Sequence, residues 1–211
     1  MRMSSPDTKT RILDAAESLF ARDGFHFASL RAITTEADVN LAAVNYHFGS
    51  KEVLLEEVLT RRLVPLNAIR MEKLEAVRQE AENAQRIPDP KDVLEAFIVP
   101  TVRFCCQDPG NENFSTLVAR AIAEPDDTVR NVFILHIMPL FMAFFELLKM
   151  SRPDLDADTV FWRLHFALGS TTHMMRVLTK LELLPPGLNQ DVDVDRLTAE
   201  LIDFIAAGVE R

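Results

Sequence analysis

Residues 37–51 read ADVNLAAVNYHFGSK, too polar for a core helix and too apolar for an ordinary surface one. Asp38-Val39 turns the chain, Asn40 is a residue type that caps helices, and Ser50 caps another helix soon after. On a helix from Asn40 to Phe48, Leu41, Val44 and Phe48 fall along one side, while Asn40, Ala42, Ala43, Asn45, Tyr46 and His47 spread over the rest. Val44 and Phe48 are therefore the expected inward anchors. Just upstream, Ser29 caps a short helix through Glu36, with Leu30, Ile33 and Ala37 facing in. Two helices of about two turns each, joined by so tight a turn, form a helix-turn-helix pattern.

Working outward, Ile12, Leu13, Ala16, Leu19 and Phe20 recur at helical spacing, so a first helix starts near Pro6-Asp7 and stops at Gly24. A fourth helix follows Ser50 and continues to about Asn83, with Pro65 inside it as an expected kink. Further helices are predicted near 91–106, 112–123, 126–150, 156–182 and 193–208, separated by turn-rich stretches at 107–113, 151–158 and 184–193. Only six Gly occur in 211 residues, and fourteen Phe stand against one Tyr and one Trp, a balance that favours helices over a sheet. The expected fold is all-α, with a head of residues 1–50 and a helical body of residues 51–211.

The net charge of −9 taken as a total argues against nucleic acid, but its distribution matters more. Residues 1–51 hold six basic and six acidic side chains, so the whole acidic surplus lies beyond them. The adjacent Cys105 and Cys106 cannot staple distant segments, which fits a reducing cytoplasm. The amino end has no apolar signal core, and the richest apolar run, Val132–Leu148, is broken by His136, Pro139 and Glu146. It is read as a buried helix, with no membrane span.

The small alanines let the Asn40–Phe48 helix approach a major groove about 12 Å wide. Asn pairs bidentately with adenine and apolar side chains meet thymine methyls, so Asn40, Leu41, Ala42 and Asn45 are the candidate base readers. Tyr46, His47 and Lys51 carry donors for phosphate, which position the helix without specifying sequence. Ser29-Leu30-Arg31-Ala32-Ile33, Ala37-Asp38-Val39 and Asn45-Tyr46-His47-Phe48-Gly49-Ser50-Lys51 together closely resemble the DNA-binding head of the TetR family of transcriptional regulators.

That resemblance implies a three-helix head on a variable helical body, two heads in successive major grooves of a pseudo-palindromic double-stranded operator, and usually repression relieved by a small molecule. It adds Ser29 to the phosphate contacts and places a homodimer interface on the last two helices, 156–182 and 193–208. Two positions depart from the family pattern: Asp38 stands where Gly is frequent, and Asn45 where Tyr is frequent. The run Phe161–Gly169, with the VNLAAVNYHFGSK head, is similar to a branch that includes fatty-acid-responsive repressors, a resemblance that points to an acyl effector.

In the body, the 126–150 helix is apolar around nearly all its circumference and is expected to be enclosed by other helices, with a kink at Pro139. The expected effector pocket draws on Phe104, Phe133, His136, Met138, Phe141, Met142, Trp162, Arg163, Phe166 and His173; a solid Phe and Met core is the alternative. Arg163 and its polar neighbours on that apolar helix call for a partner such as Glu146 or a ligand carboxylate. His165 and His173 are too far apart along one helix to hold one metal, and no catalytic constellation or cofactor motif stands out. The readings left standing are a ligand-responsive regulator, an effector-independent DNA-binding dimer, and an apolar-ligand carrier or enzyme whose head has lost DNA binding.

Overall fold

The structure, a computed structural model, describes residues 7–107, 111–123, 127–178, 185, 187 and 191–209. Every regular element among them is helical: α1 (Thr8–Asp23), α2 (Leu30–Glu36), α3 (Leu41–Phe48), α4 (Lys51–Asn83), α5 (Pro90–Gln107), α6 (Glu112–Ala123), α7 (Asp127–Ser151), α8 (Ala157–Leu178) and α9 (Val194–Val209). The all-α expectation holds, and each predicted helix has its counterpart; the tail of the 156–182 helix beyond Leu178 lies outside the described residues.

The chain forms two compact units, Met1–Val64 with Glu112–His136, and Pro65–Asn111 with Ile137–Arg211. Helical backbone passes from one unit to the other within α4, at Val64–Pro65, and within α7, at His136–Ile137. Prolines stand at or near both crossings: Pro65 withdraws one donor from the α4 ladder and Pro139 one from α7.

In the first unit, α1 packs on α2, α3 and α6. Ile12, Phe20, Ile33, Leu54, Leu55 and Phe114 are buried there, each such side chain stabilising by roughly 1.5–3 kcal/mol. Arg120 of α6 donates to the Arg22 carbonyl in the last turn of α1 (3.2 Å), where backbone acceptors lack intrahelical partners. In the second unit, α5 packs on α8 and α9 around Leu94, Phe97, Phe144, Leu164 and Ile202. The Phe97 and Phe144 rings stack with centroids 4.5 Å apart.

One expectation fails. Helix α7 is not enclosed: Val129, Leu140, Phe144, Leu147 and Leu148 are buried, but Ile134, Met138, Met142 and Met150 are exposed, and Leu135 is 69% exposed. Its apolar composition exceeds what the helices of one chain cover. Among the described residues it is also the one helix long and apolar enough, by length and composition, to cross a membrane.

Candidate nucleic-acid interface

The interface is built by three local caps. Ser29 Oγ accepts from Ala32 N (3.1 Å) and starts α2; Asn40 Oδ1 accepts from Ala43 N (2.9 Å) and starts α3; Ser50 Oγ accepts from Val53 N (3.2 Å) and starts α4. Between α2 and α3 the chain reverses at Asp38, whose φ of 51 puts a non-glycine residue in the left-handed region. Arg11 of α1 secures that turn, donating to the Asp38 carbonyl (3.3 Å) and lying 3.7 Å from its carboxylate. Asp tolerates this conformation better than most residues with a Cβ, and the Arg11 bond to its carbonyl holds the turn in place.

Val44 and Phe48 are buried against the head, as expected, and fix the rotation of α3. That rotation leaves Leu41, Ala42, Asn45, Tyr46 and His47 exposed on its outer side, with Tyr46 85% exposed. The Tyr46 and His47 rings meet edge-on with centroids 5.1 Å apart, which holds them as a pair. Asn40 is exposed as well, but its Oδ1 is committed to the cap, leaving its amide N–H groups free of that task. Asn45 is exposed, and its side chain carries the carbonyl and amide pair that a bidentate adenine contact uses.

Lys51 is folded back: its Nζ donates to the His26 carbonyl (3.3 Å) and lies 4.5 Å from the centre of the Phe25 ring. Burial lowers its pKa from the ordinary lysine value. It therefore fastens the start of α4 to the α1–α2 loop as well as offering charge beside the amino end of α4.

A second fastening escaped sequence reasoning. Glu17 of α1, buried on the inward stripe, accepts from Arg61 Nη2 (2.5 Å) and from Arg62 Nε (3.1 Å) of α4, and Arg61 Nη1 reaches Asp14 (2.6 Å). Burial opposes the Arg61 charge, and the bonds to Glu17 and Asp14 more than offset this, raising its pKa. The available signal was Glu17 itself, a carboxylate at the helical spacing of Leu13, Ala16 and Phe20.

The residues proposed for an effector pocket belong to both units. Phe133 and His136 belong to the first unit, where His136 Nε2 is hydrogen-bonded to Thr60 Oγ1 (3.1 Å). The others belong to the second unit: Phe104, Phe141 and Arg163 are half-buried, while Met138, Met142, Trp162, Phe166 and His173 are exposed. The partner foreseen for Arg163 is corrected: it donates to the Val209 carbonyl (2.6 Å), shared with Arg152, and Glu146 is exposed. The carbonyls left open at the carboxyl end of α9 and its negative dipole end accept from the guanidinium, and the Asp154 carboxylate lies in its field. Cys105 and Cys106 stand outside any disulfide, and burial pushes Cys106 up to about 11, so it stays protonated at neutral pH.

With few charges on the outer face of α3, each head should neutralise few phosphates. The logarithm of operator affinity is expected to fall gently with the logarithm of salt; fluorescence anisotropy across a salt series measures that slope, and a slope as steep as lac repressor's would contradict this geometry.

Residues 12–58 match the family model described as bacterial regulatory proteins, tetR family, and residues 95–208 match the tetracyclin repressor-like C-terminal domain. The regulator UidR of Escherichia coli is 37% identical over 59 residues, 28% of this chain and 30% of its own. The nicotine-responsive repressor HdnoR of Paenarthrobacter nicotinovorans is 33% identical over 106 residues, 46% of this chain and 55% of its own. The matched stretches thus span under two thirds of these relatives. Among solved structures, a TetR-like regulator from Rhodococcus sp. RHA1 superposes with a TM-score of 0.68 at 18% identity, covering 99% of each chain. The fatty acid degradation regulator FadR from Bacillus halodurans gives 0.67 at 14% identity, covering 98% of each. Helix-turn-helix geometry, the outward face of α3 and both family matches converge: this chain belongs to the TetR family of DNA-binding transcriptional regulators.

Proposed function

We propose that the protein is a cytoplasmic, homodimeric repressor that leaves a pseudo-palindromic operator when a small apolar or amphipathic effector binds its body. Residues 1–50 serve as the DNA-binding head and residues 51–211 as the effector-binding and dimerisation domain. The observation that carries the reading is the exposed Asn45-Tyr46-His47 face of α3, held outward by buried Val44 and Phe48. Leu41, Ala42 and Asn45 read bases with Asn40, while Ser29, Tyr46, His47 and Lys51 hold phosphates.

Repression and ligand response are supported by HdnoR, a nicotine-responsive repressor, and an acyl effector by the likeness in fold to FadR from Bacillus subtilis, solved in complex with stearoyl-CoA. The two-fold interface is assigned to α8 and α9, where Trp162, Phe166 and Phe204 are exposed apolar residues of the single chain. Two heads then address half-sites related by the helical repeat of DNA, about 34 Å. The effector acts by binding better to the arrangement whose heads do not fit those half-sites. The helix that carries the change is α4, which leaves the first unit at Pro65.

Genome-wide mapping of operator fragments retained by the purified protein, with and without acyl ligands, tests the whole reading. Tyr46→Ala removes a phosphate donor and the ring that steadies His47, so operator affinity is expected to fall about tenfold, near 1.4 kcal/mol, with the fold intact because Tyr46 buries little. Undiminished protection of the palindrome by this variant rules out the assigned face.

A further inference from the structure

Arg70 is the anomalous charge of the second unit. It lies on α4, is only 5% exposed, and pairs with no carboxylate among the described residues. Its Nε donates to Thr101 Oγ1 (3.0 Å) and its Nη1 to Asn67 Oδ1 (3.0 Å), both neutral acceptors, and its guanidinium carbon lies 4.7 Å from the centre of the Phe97 ring. Burial pulls its pKa down to about 10, which still leaves it a cation at neutral pH.

A buried guanidinium is costly unless its charge is answered. Pinning α4 to α5 does not require one, since a neutral side chain of similar length could fill the site without the desolvation cost. We propose that Arg70 is the anchor for the carboxylate of a small amphipathic monoanion, with Asn67 and Thr101 as its polar neighbours. The inference rests on the ligand-responsive reading above and names the chemical class of that ligand.

The planar fork of a guanidinium matches a carboxylate bidentately. The neighbourhood supplies walls for an apolar tail: Leu74, one turn along α4 from Arg70, also lines a hollow of about 190 Å³ with Met71, Ala143 and Leu147. The same hollow has Glu75 and Glu146 at its lining, and its one cation, Arg78, is already held by Glu75 (2.7 Å). An anionic head is therefore repelled from the acidic lining, and Arg70, with the Cys105 thiol in its field, is the nearby cation that no carboxylate pairs among the described residues.

The test compares sodium octanoate with 1-octanol at matched ionic strength, using the full chain and melting temperature as the readout. Octanoate should raise the wild-type melting temperature by several degrees and octanol should not. Arg70→Met should lose the response while melting no lower than the wild type without ligand. Arg70→Lys, which keeps the charge and the fold but not the fork, should retain part of the shift. An unmoved wild type, an equal response to octanol, or an undiminished octanoate shift in both variants overturns the proposal. Operator binding measured in parallel separates the two levels: an Arg70-dependent octanoate shift with unchanged operator affinity upholds the anchor and removes the ligand-responsive reading.

Discussion

Replacing Phe166 and Phe204 together by glutamate is expected to turn the protein into a monomer in sedimentation and to weaken operator binding about 10²–10⁴-fold, the loss that follows when two linked half-site contacts become independent. The magnitude follows from geometry. Phe166 of α8 is 67% exposed and Phe204 of α9 is 72% exposed, so neither supports the core of its own chain, and both lie on the helices assigned to the two-fold contact. In the proposed interface, carboxylates placed there bring unpaired charge into a desolvated patch on both subunits at once. Because those rings contribute little to folding within one chain, the variant should retain its helical circular dichroism, and any loss of stability should depend on protein concentration. Dimers that persist at micromolar concentration in the double variant would remove α8 and α9 from the interface.

What could be read in the sequence was local. The starts of α2, α3 and α4 depend on Ser29, Asn40 and Ser50, whose side chains bond backbone three residues ahead, so their order alone determines the caps. The inward direction of Val44 and Phe48 follows from helical period in the same way. Asp38 was legible as a departure, but its remedy was not, because Arg11 reaches it across twenty-seven residues of chain. Tertiary partners were not legible either: Lys51 donates to the His26 carbonyl in the α1–α2 loop, and Arg163 donates to the Val209 carbonyl at the end of α9. Helix α7 shows the limit of composition: its apolar residues declare a preference for burial, and the helices of one chain meet that preference on one face only.

Glu17→Ala should destabilise the first unit by about 3 kcal/mol, the scale for removing one partner from a buried ion pair. The loss exceeds that of a surface ion pair, about 0–1 kcal/mol, because the Glu17 side chain is only 3% exposed and is met by both Arg61 and Arg62. Removing the carboxylate takes from both guanidinium groups the acceptor they share in a partly desolvated site, while Asp14 still holds Arg61. Glu17→Gln keeps an acceptor of the same shape and should lose less, which separates loss of charge from loss of packing. Urea denaturation followed by circular dichroism measures both variants, and parity of Glu17→Ala with the wild type would reduce the cluster to a surface ornament. Operator affinity supplies the functional half of the prediction. These bonds join the first three turns of α1 to the stretch of α4 just before Pro65, so any rotation of that stretch must carry α1 with it. Loosening them in Glu17→Ala, at a temperature where the protein is folded, should therefore weaken the effector's hold on DNA release more than it weakens DNA binding itself, since Val44 and Phe48 still orient α3.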